Sequence, residues 1–137
     1  MSEVIQTTIN PSILASVRVM CNVDETDNGF DTQLIPLINS QLMLAFHQLG
    51  IGSNGFNITG ESEEWTDWLG EGESKLAAIK TWVGYSVLLM FDPPDNGTVL
   101  KSIQDTIAKM EWILASKSRL EGYSRRLYQT DYPEDED

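Results

Sequence analysis

At 137 residues the chain is one domain's worth, long enough to bury a core and too short to carry a separate substrate domain. Nine Lys and Arg against 21 Asp and Glu give a formal charge of −12, which argues against a surface that grips nucleic acid by neutralising phosphates. The single cysteine, Cys21, cannot close an intramolecular disulfide, and neither a basic, apolar leader nor a run of eighteen apolar residues occurs, so the expectation is a soluble intracellular product.

Taken in order, residues 1–10 read as an N-terminal tail. Asn10 followed by Pro11 has the form of an N-cap and first-turn proline, and Ile13, Leu14, Val17, Met20 and Cys21 then recur at helical spacing, predicting a first helix over 11–21. The polar stretch that follows ends in Asn28-Gly29 and reads as a loop. Asp31 is placed to cap a second helix over 31–49, with Leu34, Leu37, Ile38, Leu42, Ala45, Phe46 and Leu49 as its apolar stripe and Gly50 as the left-handed residue that closes it. Residues 50–72 are rich in glycine, serine and acids, and only 62–69 could form a short helix. A third long helix is predicted over 74–91, where Leu76, Ile79, Trp82, Val83, Val87, Met90 and Phe91 make an apolar surface broad enough for burial on more than one side. Asp92-Pro93-Pro94 ends it, Asn96-Gly97 turns the chain, and Thr98 is placed to cap a last helix over 98–115 marked by Leu100, Ile103, Ile107, Met110 and Leu114. The fold class is therefore all-α: a small bundle of about four main helices with a long acidic connection and a C-terminal arm.

Charge is segregated along this chain. Between Val19 and Ser74 there is no Lys or Arg, while Asp24, Glu25, Asp27, Asp31, Glu61, Glu63, Glu64, Asp67, Glu71 and Glu73 add ten carboxylates. Residues 117–137 begin basic, with Lys117, Arg119, Arg125 and Arg126, and end acidic, with Asp131, Glu134, Asp135, Glu136 and Asp137. This arm reads either as a solvated tail or as a partner-binding segment anchored by Tyr123, Leu127, Tyr128 and Tyr132.

Catalytic chemistry is thin. His47, the one histidine, falls mid-helix with no partner indicated for a nucleophile, and one histidine with one cysteine cannot build a closed zinc site. Residues 24–29 resemble the opening of a calcium loop, but position twelve, which needs a bidentate glutamate, is Ile35, so the reading is a capped acidic turn. No catalytic residue, cofactor or metal is assigned. Trp65 and Trp68 lie three apart on one face of the short helix among acids, and two destinations are open: a lid folded over the core, or an anchor in a neighbouring subunit.

Phe30-Asp31, Ile38-Asn39, Gln48-Leu49-Gly50-Ile51-Gly52, the Trp65 segment, Phe91-Asp92-Pro93-Pro94 and Glu111-Trp112 occur in an order and spacing that together resemble the head–tail connector (adaptor) proteins of tailed bacteriophages, of the gp6-like class. The resemblance spans about 12–114, so that 11–116 would be the connector domain and 117–137 an arm beyond it. It implies a structural virion protein that is not an enzyme and that assembles in the host cytoplasm. It further implies a homo-oligomeric, dodecameric ring beneath the portal protein at the head–tail interface, offering a surface to the stopper or tail-completion protein, with DNA only as passing cargo and no membrane contact. Candidate portal or subunit contacts are Trp65, Trp68, Tyr123, Arg125, Arg126, Leu127, Tyr128 and Tyr132. The composition also permits a different class, a small acidic phage regulatory or anti-host protein that binds a DNA-binding partner.

Overall fold

The structure is a computed structural model that describes residues 11–70 and 76–130, and side chains only as far as Ala115 beyond the gap. Its elements are helices: α1 (Ile13–Met20), α2 (Asp31–Leu44) continued by a π-helical turn (Ala45–Leu49), α3 (Trp65–Leu69), α4 (Leu76–Phe91) and α5 (Gly97–Thr130). Among the described residues the only β-type pairing is an isolated bridge between Ser12 and Glu64. The all-α expectation holds.

Most of each apolar stripe finds the interior; Met90, counted in the apolar surface of the third long helix, is instead 47% exposed near its end. Ile13, Leu14, Val17 and Cys21 of the first helical segment, Leu34, Ile38, Leu42, Ala45 and Leu49 of the second, and Ile79, Trp82, Val83 and Val87 of α4 form one core that Leu114 of α5 completes. α4 is the central element, packed against α1, α2 and α5 together, which is why its apolar residues surround more than one face. Close approach to α1 depends on Gly84: a Cβ there would come within 2.2 Å of Met20 Sδ.

Helix ends depart from the sequence expectation where two candidate caps compete. Ser12, not Asn10, starts α1, its hydroxyl accepting from Ala15 N at 3.2 Å; Asn10 itself lies outside the described residues. Likewise Asn96 caps α5, its Oδ1 accepting from Thr98 N at 2.8 Å and Val99 N at 3.1 Å, so Thr98 is inside the helix. Asp31 is the first helical residue of α2 rather than its cap, because its carboxylate is committed to Arg18. Gly50, at φ 70°, ends the π-turn as expected, with Ile51 N donating back to Ala45 O at 3.2 Å. The helix predicted over 98–115 runs on to Thr130, 34 residues in all, about 50 Å at the helical rise. No helix of the described residues is long and apolar enough to cross a membrane.

Candidate functional site

The most polar feature of the interior is built on Arg18. On α1 it follows the register of Leu14 and Cys21, which turns a guanidinium into the core, where it is fully buried. Asp31 receives it side-on, from Nε at 3.1 Å and Nη2 at 2.7 Å. Nη1 donates to Glu25 O at 2.7 Å and to the Glu61 carboxylate. One cation thereby joins α1, the start of α2, the first loop and the long connection, and the hydrogen bond to Asp31, followed by that to Glu61, holds its pKa above the usual value against the opposing effect of burial. Sequence reading passed over Arg18 because charge is normally assigned to the outside. The available signal was that it is the only Lys or Arg before Lys75 and sits on an apolar face.

The connection beyond Gly50 is not loose. It returns along α2, pinned in its middle by Asn39, whose Oδ1 accepts from Ile58 N at 2.8 Å and whose Nδ2 donates to Ile58 O at 3.1 Å. At the far end Ile13 N donates to Glu63 O and Trp65 N to Pro11 O, at 3.1 and 3.0 Å, so that α1 and α3 start side by side. Asp67 Oδ2 accepts from Glu64 N at 2.8 Å and steadies the first turn of α3. Glu63 closes the preceding turn; burial acts to raise its pKa, but hydrogen bonds from Thr59 and Gly60 prevail and hold it below the usual range.

That frame decides where the tryptophans go. Trp65 and Trp68 are 2% and 1% exposed, with ring centroids 6.2 Å apart, and they take the lid alternative: both indoles are part of the core of this chain and neither stands out as an anchor. Trp65 Nε1 donates to Ser16 Oγ at 3.1 Å, and Lys80 Nζ lies 5.8 Å from the Trp65 ring centre. Gly52, at φ 88°, lets the chain cross the Trp68 indole, where a Cβ would fall 2.1 Å from the ring.

Residues 24–29 form the capped acidic turn. Asp24 Oδ1 accepts from Thr26 N and Oγ1 at 2.9 and 2.7 Å, which lowers its pKa, and Asp27 Oδ1 accepts from Gly29 N at 2.9 Å. His47 is exposed on the π-turn with its ring edge-on to Phe46, centroids 5.2 Å apart. It borders an open groove of about 350 Å³ between α2 and residues 53–57. Cys21 is buried, and its thiol is pushed up to about 12 by burial and by the charge of Asp92, which makes it a poor nucleophile. Among the described residues no group of three or more His, Cys, Asp or Glu is placed to hold a metal ion.

The C-terminal candidates fall on α5. The backbone at Tyr123, Arg125, Arg126, Leu127 and Tyr128 continues that helix, and Tyr132 lies outside the described residues. Sequence reading assigned no role to the outward face of α5, where Trp112 is 66% and Ile113 42% exposed.

Neither curated proteins nor solved structures yield a match to this chain. A family described as phage connector protein does match, over residues 13–121, from the first turn of α1 through the whole bundle and into the distal part of α5. With α1 to α4 and most of α5 inside that span, the chain belongs to the phage connector protein family, a structural family of virion components.

Proposed function

We propose that the chain is the adaptor at the head–tail interface of a tailed phage: it assembles as a dodecameric ring on the portal protein, in the host cytoplasm during particle assembly, and presents its other side to the stopper or tail-completion protein. The family match over 13–121 carries this reading, and three features of the chain support it. A buried polar clamp and a single apolar core give a rigid block of the kind a mechanical joint needs. The 34-residue α5 is about twice the length of α4, long enough to run past the end of that helix and offer its last turns to a neighbour. The acidic first half suits a channel wall, since carboxylates repel a DNA backbone and let it slide as cargo.

In this reading the segment after residue 116 is the attachment arm. Tyr123, Leu127, Tyr128 and Tyr132 supply the apolar contacts, and Arg125 and Arg126 fork onto portal carboxylates. The test is to mix the full chain with its portal protein and image the complexes by electron microscopy, beside a chain truncated after Ser116. Twelve-fold rings on the portal for the full chain, and bare portals for the truncated one, are the expected results. Portals that stay bare with the full chain would end the adaptor reading, and equal occupancy by both chains would remove the arm from it.

A further inference from the structure

We infer that Asn54 is a site of spontaneous covalent modification, at which the backbone amide of Gly55 closes on the side-chain carboxamide and the asparagine becomes aspartate or isoaspartate. The inference stands apart from the adaptor reading and uses none of its surfaces.

This chemistry needs three things: a following residue without a side chain, a free backbone nitrogen and a carboxamide free to meet it. Asn-Gly supplies the first, and it occurs three times, at Asn28, Asn54 and Asn96, all exposed. Sequence alone ranks the three equally. Hydrogen bonding separates them. At Asn28 the nucleophile is committed, because Gly29 N donates to Asp27 Oδ1 at 2.9 Å. At Asn96 it is the carboxamide that is held, its Oδ1 accepting from Thr98 N at 2.8 Å and Val99 N at 3.1 Å to start α5. Among the described residues neither the Asn54 carboxamide nor the Gly55 amide has a hydrogen-bond partner. Gly55, at φ 78°, also faces open space, since a Cβ built there would meet nothing within 4 Å. The flanks of this pair are fixed: Ser53 Oγ donates to Trp68 O at 2.8 Å on one side, and Asn39 holds Ile58 on the other. The reacting pair is therefore presented at the free tip of an anchored arch.

Gly55 N gives up its proton to hydroxide and attacks Asn54 Cγ. The N–Cγ bond forms, the Cγ–Nδ2 bond breaks, and the side-chain nitrogen departs as ammonia, leaving a five-membered succinimide. Water then opens the ring. Attack at Cγ restores the original backbone with a carboxylate side chain, and attack at the main-chain carbonyl routes the backbone through Cγ as isoaspartate. Either product adds one negative charge to the groove between α2 and residues 53–57, whose described lining, with Asn39, Met43, Phe46 and His47, holds no carboxylate.

The test is to incubate the full chain at mildly alkaline pH, map its peptides by mass spectrometry at intervals, and count isoaspartate with an isoaspartyl methyltransferase. Conversion is expected at Asn54 first and faster as pH rises. Asn28 and Asn96 should each lag about fivefold or more, because a hydrogen bond has to break before the ring can close. In urea the three should convert at similar rates. Asp27→Ala, a change on an exposed turn, should release Gly29 N and bring Asn28 up toward the rate of Asn54, and Asn54→Gln should remove the early conversion with helicity unchanged. Folded protein that converts first at Asn28 or Asn96, or an Asn54 that reacts many times more slowly folded than in urea, overturns the inference. An Asp27→Ala protein whose Asn28 stays as slow as before would overturn the hydrogen-bond argument on which the ranking rests.

Discussion

α1, α2 and the connection that follows are joined by polar bonds made in the interior, whereas α4 and α5 meet along an apolar seam. On the first side, one guanidinium and one side-chain amide hold segments distant in sequence: Arg18 reaches Asp31 and Glu61, and Asn39 reaches Ile58. On the second, α4 packs along α5, their residues Ile79, Val83, Val87, Ile103, Ile107 and Leu114 belong to one apolar core, and no described residue of either helix buries a charge. Polar partners tolerate little displacement, so they fix one arrangement of the irregular connection, which the hydrophobic effect alone would leave underdetermined. The helical hairpin needs no such device, since ridges and grooves set its packing, and its outer face is left available for contacts.

The largest effect that sharpens this comparison contrasts two tryptophans. Trp65→Ala is expected to cost about 3–5 kcal/mol, since it opens a cavity beneath the connection and abandons the bond to Ser16. Trp112→Ala, on an exposed site, should stay within about 0.5 kcal/mol. Urea denaturation of both proteins decides it, and equal losses would mean that the lid over the core is misplaced. Trp82→Ala belongs with Trp65, at 3% exposure in the middle of α4.

Next comes the clamp. Arg18→Met removes the cation and leaves Asp31, 22% exposed, facing apolar neighbours, for an expected loss of about 3 kcal/mol. Glu61→Gln should cost under about 1 kcal/mol, because that side chain is 57% exposed and water replaces much of what is lost. A smaller loss for Arg18→Met than for Glu61→Gln would show that the cluster is not what joins α1 to the connection.

These residues also mark the reach of sequence reading. Apolar periodicity located the four long helices, and Gly50 and Asp92-Pro93-Pro94 ended two of them, because period and backbone chemistry are local properties. The start of α2 could not be read locally, because the carboxylate of Asp31 is committed to Arg18, thirteen residues earlier on another helix. Burial of Trp65 and Trp68 could not be read from acidic neighbours, since the surface they cover belongs to elements far along the chain. The π-turn at Ala45–Leu49 left no sign in the apolar pattern, and the polar composition after Ala115 concealed the continuation of α5.

Asn39 tests the connection at its midpoint. Asn39→Ala leaves the amide and carbonyl of buried Ile58 without their partners, for an expected cost of about 2 kcal/mol. Hydrogen exchange should show the loss first in residues 51–61, with α4 and the first half of α5 retaining their protection. Uniform acceleration across the hairpin as well would mean that the two regions open as one unit and that the distinction between them is only geometric.

The smallest effect, nil at neutral pH, comes from Cys21, which lies at the junction of the two regions, at the end of α1 and within the field of Asp92 at the end of α4. Its thiol is raised from an ordinary value near 9.0 to about 12, first by burial and then by that carboxylate. The folded state therefore keeps its proton where the unfolded chain has lost it. The stability linked to this group is fully present below about pH 9 and falls as the pH rises toward 12. Comparing wild type with Cys21→Ala isolates it, because tyrosines and lysines titrate in both: the stability difference between the two should be constant from pH 6 to 8 and should shift against the wild type above pH 9. A thiol reagent at pH 8 supplies a second reading, with labelling expected only at the rate at which α1 separates from α4. Rapid labelling of the folded protein, or a difference that stays flat through pH 11, would show that this junction is open to water and that the apolar seam stops short of α1.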